Sequence, residues 1–85
     1  MAPLIYPNPV QSHAQLKYTL NKDENLSVRL FNINGMLVTS FISNEHRIKG
    51  EHTEGLIFSE SMAPGNYVLS IDNGTTQQAI KIIIQ

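Results

Sequence analysis

The spacing of its apolar residues constrains this chain more than any other feature. Leu16, Tyr18 and Leu20 alternate with Gln15, Lys17 and Thr19, and Leu26, Val28 and Leu30 alternate with Ser27 and Arg29. A period of two sends one set to a core and the other to water only on extended backbone, where successive side chains point to opposite faces. The pattern predicts two half-buried antiparallel strands joined by the polar turn Asn21-Lys22-Asp23-Glu24-Asn25. No window of eleven residues keeps a 3.6-residue period, so no long helix is expected. Apolar residues never run more than three together, which excludes a transmembrane helix and the apolar stretch of a secretory signal peptide.

Turn residues divide the remainder. Asn34-Gly35 lies between Phe31-Asn32-Ile33 and Met36-Leu37-Val38. A two-residue type I′ turn needs positive φ at both positions, which Asn-Gly supplies, so strands from about Leu26 to Ile33 and from Met36 to Ile42 are expected to pair. Ser43 to Glu54 is polar and weakly patterned; it reads as a loop, or as an exposed edge strand around Arg47 to Lys49. Gly55-Leu56-Ile57-Phe58 is a short apolar strand. Ser59 to Gly65 reads as a connection with one 3₁₀ turn, and Pro64-Gly65 as a type II bend with Gly65 at positive φ. Asn66 to Ile71 returns as a strand with Tyr67, Leu69 and Ile71 on one face. Asp72-Asn73-Gly74 is a second hairpin signal, followed by a last strand, Thr75 to Gln85, with Ile80, Ile82 and Ile84 inward and Lys81 outward. Ile83 must then face outward or meet a partner. In Tyr6-Pro7-Asn8-Pro9 the prolines remove two backbone donors, which suits a strand that breaks and switches sheets at an edge. About seven short strands with turn signals every 8 to 12 residues or so make an all-β antiparallel sandwich.

The chemistry these residues exclude is extensive. The 85 residues make one domain, 1–85, with residues 1–3 read as a linker or preparation remnant, and a chain of this size buries only about 60% of its unfolded surface. Net charge is −1, and Lys17, Lys22, Arg29, Arg47, Lys49 and Lys81 are scattered, so there is no footprint for nucleic acid or anionic lipid. With no cysteine there is no disulfide, thiolate site or cysteine nucleophile. His46 and His52 lie near Glu45, Glu51 and Glu54 but lack paired metal spacing, and are read as a solvated loop. Asp72-Asn73-Gly74 lacks the acidic alternation of a calcium loop. Asp23 and Glu24 are adjacent and cannot share a cleft from one strand. None of the serines sits in a nucleophile elbow. Tyr6, Tyr18, Phe31, Phe41, Phe58 and Tyr67 alternate with apolar neighbours and are read as core, with the Tyr67 hydroxyl expected to bond a nearby backbone group.

In order, a Y-P-N-P opening, an N-x-x-G hairpin, the P-G-x-Y-x-L-x-I strand from Pro64 to Ile71 and a final Lys-bearing aliphatic strand resemble the type A C-terminal sorting domain of the type IX (Por) secretion system of Bacteroidota. The resemblance covers nearly the whole chain. It implies an immunoglobulin-like β-sandwich that is not an enzyme and carries no cofactor. Its role would be to direct a preceding cargo domain through the periplasm and across the outer membrane, to the cell surface or the medium. The implied partners are the translocon, shuttle proteins of the outer membrane and a sortase-like cysteine protease that cuts near the domain's start, with no nucleic acid and no direct membrane insertion. Gly65, Tyr67, Lys81, Ile82, Ile83 and Ile84 would serve translocon recognition, and Tyr6, Pro7, Asn8 and Pro9 would mark the start of the signal near the cleavage region. Members commonly finish on a basic residue, whereas this chain finishes Ile84-Gln85; Lys81 is the nearby positive charge that remains. Two other readings stay open from the residues alone. One is a fibronectin III-like or carbohydrate-binding accessory module of an extracellular enzyme; the other is a small hydrolase, which would need a concave pocket with converging polar groups.

Overall fold

Two sheets with facing apolar sides account for the alternation. The computed structural model describes residues 3–85; Met1 and Ala2, read above as remnants, lie outside the described residues. The strands are β1 (Leu4–Tyr6), β2 (His13–Leu20), β3 (Glu24–Asn32), β4 (Leu37–Arg47), β5 (Gly50–Ile57), β6 (Gly65–Asp72) and β7 (Gln77–Ile84). They form antiparallel sheets ordered β1-β2-β5 and β4-β3-β6-β7. Leu16, Tyr18, Leu26, Leu30, Leu69, Ile71 and Ile82 fill the space between, each at most 1% exposed. The all-β sandwich and its inward faces on β2, β3, β6 and β7 agree with the sequence reading.

Four local expectations change. First, β2 and β3 do not pair: they lie in different sheets. Leu20 ends one and Glu24 begins the other. The three residues between, at about 3.3 Å each, are enough to cross the roughly 10 Å between stacked sheets. Second, the Asn34-Gly35 hairpin pairs β3 with β4 as expected but has a different turn. Asn32 N–H donates to the Met36 carbonyl at 3.0 Å, Gly35 N–H donates to the Asn32 carbonyl at 3.0 Å, and only Gly35 has positive φ, at 82°. This is the three-residue loop with a left-handed glycine last. The Asn32 carboxamide oxygen secures it by accepting from the N–H groups of Asn34 and Met36.

Third, Ser43 to Glu54 is not a loop. β4 runs to Arg47 and β5 starts at Gly50, so the stretch is two edge strands, and the alternative of one edge strand around Arg47 to Lys49 falls on the turn between them. The period of two is hidden twice. A bulge inserts an extra residue in β4 opposite β3, between the Leu26–Glu45 and Val28–Ile42 pairs, with Asn44 at φ 49° and its N–H bonded to Ser27 Oγ. On β5 the inward positions are His52, Glu54 and Leu56, which pair with Tyr18, Leu16 and Ala14; two of these three are polar. Fourth, Gly65 has the expected positive φ, but at 151° it lies far from the about 80° of a type II turn and simply opens β6. The expected 3₁₀ turn is one hydrogen-bonded turn, Met62 N–H to the Ser59 carbonyl at 3.1 Å.

Candidate functional site

The last strand divides its side chains cleanly. On β7, Ile82 is fully buried, Ile84 is 4% exposed and Ile80 packs half-buried against the core. Lys81 and Ile83 point the other way, and Ile83 is 43% exposed. Register explains the division: Ile82 lies opposite Tyr67 and Ile84 opposite Gly65, while Lys81 lies opposite Val68 and Ile83 opposite Asn66. Cross-strand partners share a face, so Lys81, Val68 and, one strand further, Phe31 form one row on the outer side of the four-stranded sheet. Of the six residues assigned to recognition, Lys81 and Ile83 present side chains outward; Tyr67, Ile82 and Ile84 serve the core.

β7 is also an edge strand, and the opening segment covers part of that edge. β1 belongs to the other sheet, and after the prolines the chain crosses over. Val10, fully buried, makes a parallel bridge with Ile84: its N–H donates to the Ile83 carbonyl at 2.7 Å, and its carbonyl accepts from Gln85 N–H at 2.8 Å. Asn8 adds its side chain, Oδ1 accepting from Ile83 N–H at 3.1 Å and Nδ2 donating to the Lys81 carbonyl at 3.5 Å. Tyr6, Pro7 and Pro9 stay exposed. The Tyr6-Pro7 and Asn8-Pro9 bonds are both cis. The strand break and sheet switch expected here are present. The sequence reading missed Val10, the first apolar residue after the second proline, as the point where the chain re-enters the core.

Elsewhere the Tyr67 hydroxyl donates to the Ala63 carbonyl at 2.6 Å, pinning the bend before β6 as expected. Missed altogether was a polar bridge between the sheets. The Tyr18 hydroxyl donates to Glu54 Oε2 at 2.6 Å, and Arg47 Nε donates to the same oxygen at 2.9 Å. Burial, then the Glu54 hydrogen bond, pushes the Tyr18 phenol well above its ordinary value. For Glu54 burial pulls upward, but the hydrogen bonds from Arg47 and Tyr18 outweigh it and hold the carboxyl below its usual range. Glu54 raises the Arg47 guanidinium further. His52 is not solvated loop either: it stacks on Tyr18 with centroids 5.3 Å apart, its Nε2 2.7 Å from the Ile48 carbonyl. His46 Nδ1 lies 3.4 Å from Asn25 Oδ1.

Among the described residues no group of three His, Cys, Asp or Glu side chains is placed to hold a metal. Tyr18, Phe58 and Tyr67 are buried and Phe41 packs edge-on against Phe58, so these four build the core as expected, whereas Tyr6 is exposed and Phe31 lies half-buried on the outer face of the four-stranded sheet, contrary to the core reading of both. A surface groove of about 570 Å³ lies along the paired ends of β2 and β5. Ser12 Oγ is 3.0 Å from His13 Nδ1 there. Among the described residues, no carboxylate forms an ion pair with that imidazole.

Compared with known proteins, residues 4–85 match the family described as the secretion system C-terminal sorting domain. No curated protein and no solved structure matches the chain.

Proposed function

From the premise that this chain belongs to the secretion system C-terminal sorting domain family, a sorting signal for type IX secretion, we propose that the machinery reads β7 by the side chains it turns outward. Proteins bearing this signal are exported to the cell surface or secreted, and the signal engages the type IX machinery behind a preceding cargo domain. The observation that carries the finer reading is the division of β7. Ile82 and Ile84 are spent on the core, so Lys81 and Ile83 are what the outer face of the strand, beyond Gln77 and Ala79, offers a partner. An apolar groove that takes Ile83, with an acidic group for Lys81, fits that offer. Tyr67 and Gly65 support the strand from behind by register. In the same reading, outer-membrane shuttle proteins and the translocon bind this face, a sortase-like cysteine protease cuts near Tyr6-Pro7-Asn8-Pro9, and the cargo is anchored to lipopolysaccharide or released. Residues 1–3 then belong to the linker.

The test is export of a periplasm-targeted reporter fused ahead of the domain in a cell with a type IX system. The parent domain carries the reporter to the surface, and deletion of Lys81 to Gln85 traps it in the periplasm. Ile83→Asp folds but fails to export. Normal export of the truncated domain would sink the sorting reading of β7, and normal export of Ile83→Asp would remove that side chain from the recognised surface.

A further inference from the structure

We propose that Asn8 is a positioning residue for β7, in which a side-chain carboxamide stands in for a strand's peptide group. In a parallel ladder the residue that bridges Ile84 donates to the carbonyl of residue 83 and accepts from the N–H of residue 85, as Val10 does. Two residues earlier the ladder calls for a donor to the carbonyl of residue 81 and an acceptor from the N–H of residue 83. Asn8 fills both places, Nδ2 facing the Lys81 carbonyl and Oδ1 facing the Ile83 N–H, and fills them with its side chain. The flanking prolines explain the substitution. Pro7 and Pro9 have no N–H and fixed φ, so the backbone here cannot follow a regular ladder, while an asparagine carboxamide carries the same donor and acceptor as a peptide group.

One consequence concerns how a partner reaches the strand. An edge strand invites pairing with another chain through its open N–H and C=O groups. On β7 the outward groups from the Lys81 carbonyl through Ile83 to Gln85 are taken by Asn8 and Val10. Strand addition is therefore barred along this half, and the machinery meets Lys81 and Ile83 as side chains held in fixed register. This inference rests on the sorting-signal reading above.

The test uses the 85-residue chain for amide exchange by NMR and the reporter fusion for export. Asn8 is exposed and the Val10 bridge is independent of its side chain, so Asn8→Ala keeps the parent's fold and near-ultraviolet spectrum. Exchange at the Ile83 amide accelerates tenfold or more in Asn8→Ala. Exchange at Ile82, which faces β6, stays unchanged, and export drops severalfold. Asn8→Asp, which still accepts from Ile83 but cannot donate to Lys81, falls between Ala and the parent in both measurements. An Ile83 amide as protected in Asn8→Ala as in the parent overturns the surrogate pairing. Lost protection with undiminished export overturns the positioning role. If the chain lacking Lys81 to Gln85 exports normally, it is the sorting reading that fails, and the exchange rates still decide the pairing.

Discussion

β5 and β7 are both eight-residue edge strands, one on each sheet, yet they meet the edge problem in opposite ways. β7 is written in isoleucine: its inward face packs into the core, and half of its open edge is covered by Asn8 and Val10. β5 is polar from Glu51 to Glu54, and even inward it carries His52 and Glu54, held by Tyr18 and Arg47, before it ends in the buried Leu56 and the exposed Ile57. Polar residues and charge are one guard against unwanted strand pairing, and covering is another. The polar stretch of β5 shows no aliphatic side chain before its last residue, Ile57, which is exposed, whereas the covered β7 keeps Ile83 on show beside a blocked edge.

The comparison breaks first at Ile82. Ile82→Asp places a charge where the side chain is fully buried, costs more than about 4 kcal/mol and leaves the domain unfolded by circular dichroism. Ile83→Asp, one residue away on the outer face, stays within about 0.5 kcal/mol of the parent in urea denaturation. Equal losses at the two positions would mean that β7 has no outer face.

On β5 the matching probe is Glu54. Glu54→Ala leaves the Tyr18 hydroxyl and Arg47 without their acceptor and costs about 1–3 kcal/mol. Its pH dependence is distinctive. The folded Glu54 carboxyl titrates below its ordinary 4.5, so its contribution is complete above that pH and is lost as the pH falls through the lower folded value. Tyr18 titrates above its ordinary 10.0, so its contribution is complete below pH 10 and is lost as the pH rises further. Denaturation midpoints followed from pH 7 down to pH 3 fall less steeply in Glu54→Gln than in the parent. Parallel curves would show that the bridge does not couple the sheets.

Gly65→Val tests the support behind β7. With φ at 151°, a β-branched residue is strained there and costs about 1–3 kcal/mol in chemical denaturation. The smallest effect belongs to the histidines. His46→Ala is neutral and His52→Ala costs about 0.5–1.5 kcal/mol through its ring contact with Tyr18. A chelator leaves the melting temperature of the parent unchanged, and a chelator-dependent drop would reveal a metal.

How much of this was legible follows from what each strand spends on its inner face. Where the inward residues are apolar, as with Leu16-Tyr18-Leu20, Leu26-Val28-Leu30, Tyr67-Leu69-Ile71 and Ile80-Ile82-Ile84, local periodicity gave strand, face and the exposure of Ile83 directly, because hydrophobic burial leaves its mark on every second residue. The order of motifs likewise carried the family. Where the inward residues are polar, as with His52 and Glu54, or where a bulge shifts the phase, as at Asn44, the mark is erased, and the end of β4 and the start of β5 read as a loop or one short edge strand. Tertiary structure alone decided that β2 and β3 lie in opposite sheets, since alternation tells a side chain to turn inward without saying which sheet it leaves. It alone brought Asn8 to Ile83, 75 residues away. Two prolines announce that the backbone stops pairing, but where a lone carboxamide finds its partner depends on how the whole sandwich closes.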